Sequence, residues 1–209
     1  IPNLTPERLA DTSMPLDFAR SPKGTLGLEW ELALVDRSTG ELANEAPAII
    51  EQLEKTWTGA DKSTHATSEL LQNTVEIVSA PHTRVKDAVG DLQLIAQDVV
   101  ELAEERGLGV IASGCHPFST WKTQKITEKD RYQNFIESTQ WWGRNMLIWG
   151  VHTHLGVDRK GRVIPMMHAL IAYQSHLIAL SASSPFWEGD ITGYASNRTL
   201  LYQQLPTAG

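Results

Sequence analysis

The sequence predicts an α+β fold built on an antiparallel sheet. Residues 26–35 alternate strictly between large apolar and other side chains, and residues 83–106 form a long amphipathic stretch. The strand-like segments are joined by turns and helices without a regular βαβ alternation.

Taken in order, residues 1–24 are rich in Pro, Asp and Arg with little periodicity and read as an irregular lead-in. Leu26, Leu28, Trp30, Leu32 and Leu34 then alternate with Gly27, Glu29, Glu31, Ala33 and Val35, the period-2 signature of a strand with one buried face. A turn follows at 37–40. Ile49, Ile50, Leu53 and Trp57 at helical spacing predict a helix over 47–57, broken at 58–61. Residues 74–78 are rich in β-branched side chains and read as a strand closed by Ala80-Pro81.

The clearest helix is expected over 83–106, with Val85, Ala88, Val89, Leu92, Ile95, Ala96, Val99 and Ala103 on one face and Gly107 at its end. Residues 108–112 predict a short buried strand, 129–140 a helix and 147–157 another strand. A helix over 165–180 opens on Pro165, whose missing N–H costs nothing in a first turn. A last helix is expected from about 196 to 204. No repeat, low-complexity tract or linker interrupts the chain, so a single domain over 1–209 is the economical reading.

Composition excludes several classes. A net charge of −7 argues against general nucleic-acid binding, which needs a basic face to neutralise phosphates. No apolar run approaches the roughly 20 residues that span a bilayer, so no membrane segment is expected. One cysteine, Cys115, cannot build a disulfide framework, which makes the reducing cytoplasm the default compartment. Cys115 itself lacks a local base and orienter and reads as a structural thiol. A start without Met and an end without a polar tail suggest a piece of a longer chain.

The chemistry concentrates in carboxylates and histidines. Glu29 and Glu31, two apart on a strand, share one face about 7 Å apart. Neighbouring carboxylates repel, and desolvation raises their pKa values unless a cation sits between them. Hard divalent cations such as Mg²⁺ take oxygen ligands of this kind. A bare Glu-x-Glu is nonetheless more often the solvated face of an edge strand. Weight comes from Glu76, flanked by Val75 and Ile77, and from Glu69, seven positions earlier. That odd offset points Glu69 to the wrong face of a regular strand, so a bulge or turn at Gln72-Asn73 must intervene if both join one site.

His152 and His154 share a strand face with Gly150 and Gly156 and are candidates to bind metal or phosphate. His154 is equally suited to a hydrogen bond with a neighbouring strand.

Gly27-Leu28-Glu29-Trp30-Glu31-Leu32, the 69–76 segment with its Val-Glu-Ile-Val-Ser core, Gly150-Val151-His152-Thr153-His154 and Arg198-Thr199-Leu200-Leu201 occur in an order and spacing that resemble the glutamate-cysteine ligase type 2 family of carboxylate-amine ligases. The resemblance implies a curved, mostly antiparallel sheet with helices on one face, similar to the catalytic domain of glutamine synthetase. It implies Glu29, Glu31, Glu69 and Glu76 as ligands of Mg²⁺ or Mn²⁺, and His152 near the metal and the ATP phosphates, with His154 beside it. Arg198 would grip a substrate carboxylate or the transferring phosphoryl group, for which its planar fork is suited. From its local sequence alone, Arg198 reads as a surface helix residue.

The implied reaction uses ATP to join the γ-carboxylate of glutamate to the amine of cysteine through an acyl phosphate. Amino acids and ATP would be the partners, and a homo-oligomer is permitted. No G-x-x-x-x-G-K-[ST] loop is present, and Gly107-Leu108-Gly109 precedes a strand, the wrong order for a dinucleotide fingerprint. Relatives are longer and draw further metal-binding and arginine residues from a second half, so these 209 residues are expected to be an incomplete ligase. Two other classes stay open. One is a metal-dependent hydrolase that uses His152 and His154 as zinc ligands. The other is an inactive binding module of the same fold.

Overall fold

In the computed structural model, residues 18–56 and 64–205 are described; the break expected at 58–61 and most of the irregular lead-in lie outside them. The alternating segment forms β1 (Leu26–Asp36), the strand on which the rest of the sheet is organised. It is followed by α1 (Ala46–Thr56), β2 (His65–Ser68), β3 (Thr74–Val78), α2 (Val85–Glu104) and β4 (Leu108–Ile111). The second half of the chain contributes α3 (Asp130–Thr139), α4 (Trp141–Arg144), β5 (Val151–Leu155), α5 (Val163–Ala172), α6 (Gln174–Ser181), β6 (Phe186–Trp187), β7 (Asp190–Ile191) and α7 (Asn197–Gln203).

All pairings within the five-stranded sheet are antiparallel, in the order β2-β3-β1-β4, with β5 also on β1. The length of β1 makes this possible. One of its sides carries β3 along 29–33, while the other carries β5 along 26–30 and β4 along 33–36. The expected α+β class with an antiparallel sheet is the one observed.

Leu28, Leu32 and Leu34 of β1 join Val75 and Ile77 of β3 in a core covered by Ile49 and Leu53 of α1 and by Ala88, Leu92, Ile95 and Val99 of α2. Each apolar side chain of this size contributes about 1.5–3 kcal/mol when fully buried, and a one-residue slip of β1 would exchange this row for the carboxylates. The opposite face was expected to be open, but its distal half is buried too. Ala33 and Val35 pack with Leu42, Leu71, Leu147 and Trp149. The Trp149 indole donates from Nε1 to Thr74 Oγ1 at 2.7 Å, satisfying both polar atoms inside this second core. Glu31 therefore sits at the border between a sealed apolar region and an open acidic one.

β2, the short helix α4 and the β6–β7 hairpin were not visible in the sequence. Two others are cut differently than expected. Of the strand expected over 147–157, only Val151–Leu155 is a regular strand, preceded by an isolated Cys115–Ile148 bridge. The helix over 165–180 divides at Tyr173, whose φ of −99° and ψ of 1° end α5 before α6 begins. No single helix among the described residues is long and apolar enough to cross a membrane; the bent pair Lys160–Ala172 and Gln174–Ser181, angled by 56°, reaches that length and composition only together.

Candidate active site

Directly opposed residues of an antiparallel ladder share a face. Glu31 therefore stands beside Glu76 of β3, and Glu29 beside His152 of β5. Glu69 joins them because the chain reverses at Gln72-Asn73, where Thr74 N–H donates to Leu71 O at 3.1 Å. Extending the β2–β3 register one step past Ser68↔Val75 sets Glu69 opposite Thr74, on the Glu76 side. The odd spacing is thus resolved by a hairpin turn.

Arg198 comes from the start of α7 and lies against the sheet, not on an outer surface. Its backbone N–H donates to Ser184 Oγ at 3.0 Å and its Nε to Trp149 O at 2.7 Å. Gly150 makes room for it, since a Cβ at that position would lie 2.7 Å from Arg198 Nη2.

Glu29, Glu31, Glu69, Glu76, His152 and Arg198 all line one cavity of about 580 Å³. His154 lies beside it, with Nε2 3.0 Å from Glu29 Oε2, while His152 Nδ1 is 3.2 Å from the same oxygen. Glu31 Oε2 accepts from Gly150 N–H at 2.6 Å.

The carboxylates divide electrostatically. Burial pushes the Glu29 carboxyl up, but hydrogen bonds from His154 and His152 outweigh it and hold the group below its ordinary value. Burial raises Glu31; His152 opposes the shift and Glu69 adds to it. Glu76 is pushed up to about 7 by burial and by the neighbouring charges of Glu69, Glu29 and Glu31. Such a cluster is under strain from its own charge, and a cation among the carboxylates relieves it. Glu29, Glu76 and His152 each offer a donor atom within 4.8 Å of the others, close enough to share one ion. The donor set, oxygen-rich with one imidazole, fits Mg²⁺ or Mn²⁺.

The family model for glutamate-cysteine ligase family 2 (GCS2) matches residues 25–209. The chain belongs to glutamate-cysteine ligase family 2. A Clavibacter michiganensis subsp. michiganensis protein provisionally named glutamate-cysteine ligase 2 is 49% identical over 199 residues, which are 95% of this chain and 51% of that protein. A similarly named protein of Mycolicibacterium paratuberculosis is 50% identical over 194 residues, 93% of this chain and 50% of that one. The chain thus spans about half the length of the curated relatives it matches. Among solved structures, the glutamate-cysteine ligase of Francisella tularensis in complex with AMP aligns with a TM-score of 0.49 and 15% identity, over 74% of this chain and 31% of that one. A bifunctional glutathione synthetase from Pasteurella multocida aligns with a TM-score of 0.45 and 14% identity, over 73% and 19%.

Every cavity residue named above falls within the GCS2 match. Two more that the sequence did not single out belong to the same wall in this GCS2 chain. The Tyr132 hydroxyl donates to Glu69 Oε2 at 2.7 Å, with Ser68 O 3.1 Å away. Arg131 lays its guanidinium over the Tyr132 ring, 4.4 Å from the centroid, and hydrogen-bonds the hydroxyl. Burial and the Glu69 charge push the Tyr132 pKa upward, so the phenol remains a donor. The helical pattern of 129–140 located α3, but nothing in it marked which of its residues face a site on another element.

Cys115 and four further histidines stand apart from this cavity. Cys115 is buried, and burial pushes its pKa up to about 11, which leaves it a thiol. His82 Nε2 pairs with Asp91 at 2.6 Å, His116 Nε2 lies 2.9 Å from Gly40 O, and His168 and His176 are on α5 and α6.

Proposed function

We propose that this chain supplies part of the active site of an ATP-dependent ligase that joins the γ-carboxylate of glutamate to the amine of cysteine. Residues 1–209 would form one domain, the amino-terminal half of a longer catalytic domain in the cytoplasm. The observation that carries this reading is the convergence of four glutamates, His152 and Arg198 on one cavity in a GCS2 chain.

Glu29, Glu31, Glu69, Glu76 and His152 would hold Mg²⁺ or Mn²⁺, which neutralises charge on phosphate oxygens when bound. The chain's own groups set the rest. His152 and His154 keep Glu29 ionised, and Tyr132 orients Glu69. The bond from Arg198 Nε to Trp149 O fixes the plane of the guanidinium, so that its fork can bind the transferring phosphoryl group or a substrate carboxylate. In the proposed reaction a glutamate γ-carboxylate oxygen attacks the γ-phosphorus of ATP, and ADP leaves. The cysteine nitrogen then attacks the acyl carbon, the C–O bond to phosphate breaks, and the amine releases a proton. Two anions must meet in the first step, and positioned cationic groups are the main means of lowering that barrier.

A zinc hydrolase built on His152 and His154 has less support, because the group whose donor atoms all lie within 4.8 Å of one another takes in Glu29, Glu76 and His152 without His154. The test is a screen of paired carboxylic acids and amines, with ATP consumption as readout, on the longer family polypeptide that contains these residues. Glutamate with cysteine should give the signal and Glu31→Gln should abolish it. ATP consumption with no pair would contradict the ligase reading.

A further inference from the structure

On the helix-covered face the sheet is left open at one end. β5 pairs with β1 on one side and, among the described residues, with no strand on the other. Glu31 N–H donates to Gly150 O at 3.1 Å. By the alternation of an antiparallel ladder, His152 and His154 then turn their backbone groups toward β1, while Val151, Thr153 and Leu155 turn theirs outward. Opposed to Trp30, Leu28 and Leu26, the same three residues share their face, yet Val151 is 60% exposed and Leu155 43%. Nearby, α5 and α6 expose Ile171 and Leu177, which line a groove of about 690 Å³ with Trp30 and Val151. Apolar surface continuous with an unpaired strand edge is the mark of a docking site.

We propose that this edge and groove are covered by the part of the family's length that the chain does not span, through a strand added to the outer side of β5 and an apolar segment laid on α5 and α6. The relatives carry about as much polypeptide again as is matched here, which supplies one occupant per chain. A bilayer would satisfy the apolar side chains but not the outward N–H and C=O groups of β5, which need a hydrogen-bonding partner. The groove shares Glu31, His152 and Arg198 with the candidate site, so the docked segment also closes one wall of that site. The inference rests on family membership and on this surface, not on the ligase reading.

The test is co-expression of this chain with the uncovered half of the Clavibacter michiganensis relative, purification through a tag on this chain, light scattering and amide hydrogen exchange. A one-to-one complex is expected, in which the amides of Val151, Thr153 and Leu155 exchange as slowly as those of His152 and His154. In the chain alone the three should exchange at least roughly tenfold faster than in the complex. Val151→Lys and Leu155→Lys should each weaken association by roughly tenfold or more, while Ile191→Lys, on the exposed β7, leaves it unchanged. Failure of two soluble halves to associate overturns the proposal, as does a complex in which the outward amides stay fast. A homodimer of this chain that protects those amides overturns it too, as does binding of the chain alone to phosphatidylglycerol vesicles through α5 and α6.

Discussion

Arg198 crosses to the sheet over a glycine: a Cβ on Gly150 would stand 2.7 Å from its Nη2 and 3.2 Å from its Cζ. Gly150→Ala should therefore move the guanidinium without unfolding the chain, because the clash is with the far end of a flexible side chain. Gly156 is the contrasting case. A Cβ there would lie 2.1 Å from Thr25 Oγ1 and 2.7 Å from the backbone oxygen of Pro22, which cannot swing aside. Gly156→Ala is expected to cost about 1–3 kcal/mol in denaturant unfolding, and Gly150→Ala distinctly less while weakening binding of MgATP. Equal destabilisation by both would contradict this account of Arg198.

Tyr132 acts on the site through Glu69. Removing its hydroxyl in Tyr132→Phe deletes the 2.7 Å bond to Glu69 Oε2 and should lower stability by about 1–2 kcal/mol. Calorimetric titration should show weaker Mg²⁺ binding in the variant, since the carboxylate is no longer held. Unchanged metal affinity would reduce Tyr132 to a packing residue.

Glu76 should make stability depend on pH. A carboxyl near 7 in the folded chain, against an ordinary 4.5, keeps its proton where the unfolded chain has lost it. Its contribution is therefore complete below about 4.5 and is lost as pH rises through 7, because there the folded state binds more protons than the unfolded. Thermal unfolding of the wild type should show this decline and Glu76→Gln should flatten it. Mg²⁺ at pH 8 should raise the melting temperature of the wild type and not of the variant.

Much of this arrangement was legible in the sequence, for reasons that differ by element. Leu26, Leu28, Trp30, Leu32 and Leu34 specified β1 and the side on which Glu29 and Glu31 emerge, because a period of 2 leaves a single register. β3 was found at its observed bounds from Thr74 to Val78. β2 went unseen because His-Ala-Thr-Ser is four residues long and carries little strand preference; its pairing with β3 supplies the order. The burial of both faces near Val35 depends on the Leu147–Trp149 partners, more than a hundred residues away, and local periodicity holds no record of them. Tyr132 and Arg131 were invisible for the same reason, since only the tertiary fold brings α3 against Glu69. Arg198, by local sequence a surface helix residue, is placed by Gly150 and Trp149 O.

The proposed function makes the Glu29-Glu31-Glu69-Glu76 cluster with His152 a site for a hard cation and the nucleotide it carries. Titration calorimetry of ATP into the chain, with and without Mg²⁺, on the wild type and on Glu31→Gln, tests it most directly. Glutamine at 31 keeps an oxygen to accept the Gly150 N–H and removes the charge. Binding that requires Mg²⁺ and disappears in Glu31→Gln is the predicted result. Binding of ATP indifferent to both Mg²⁺ and Glu31, or no binding of MgATP beside tight retention of zinc, would contradict it.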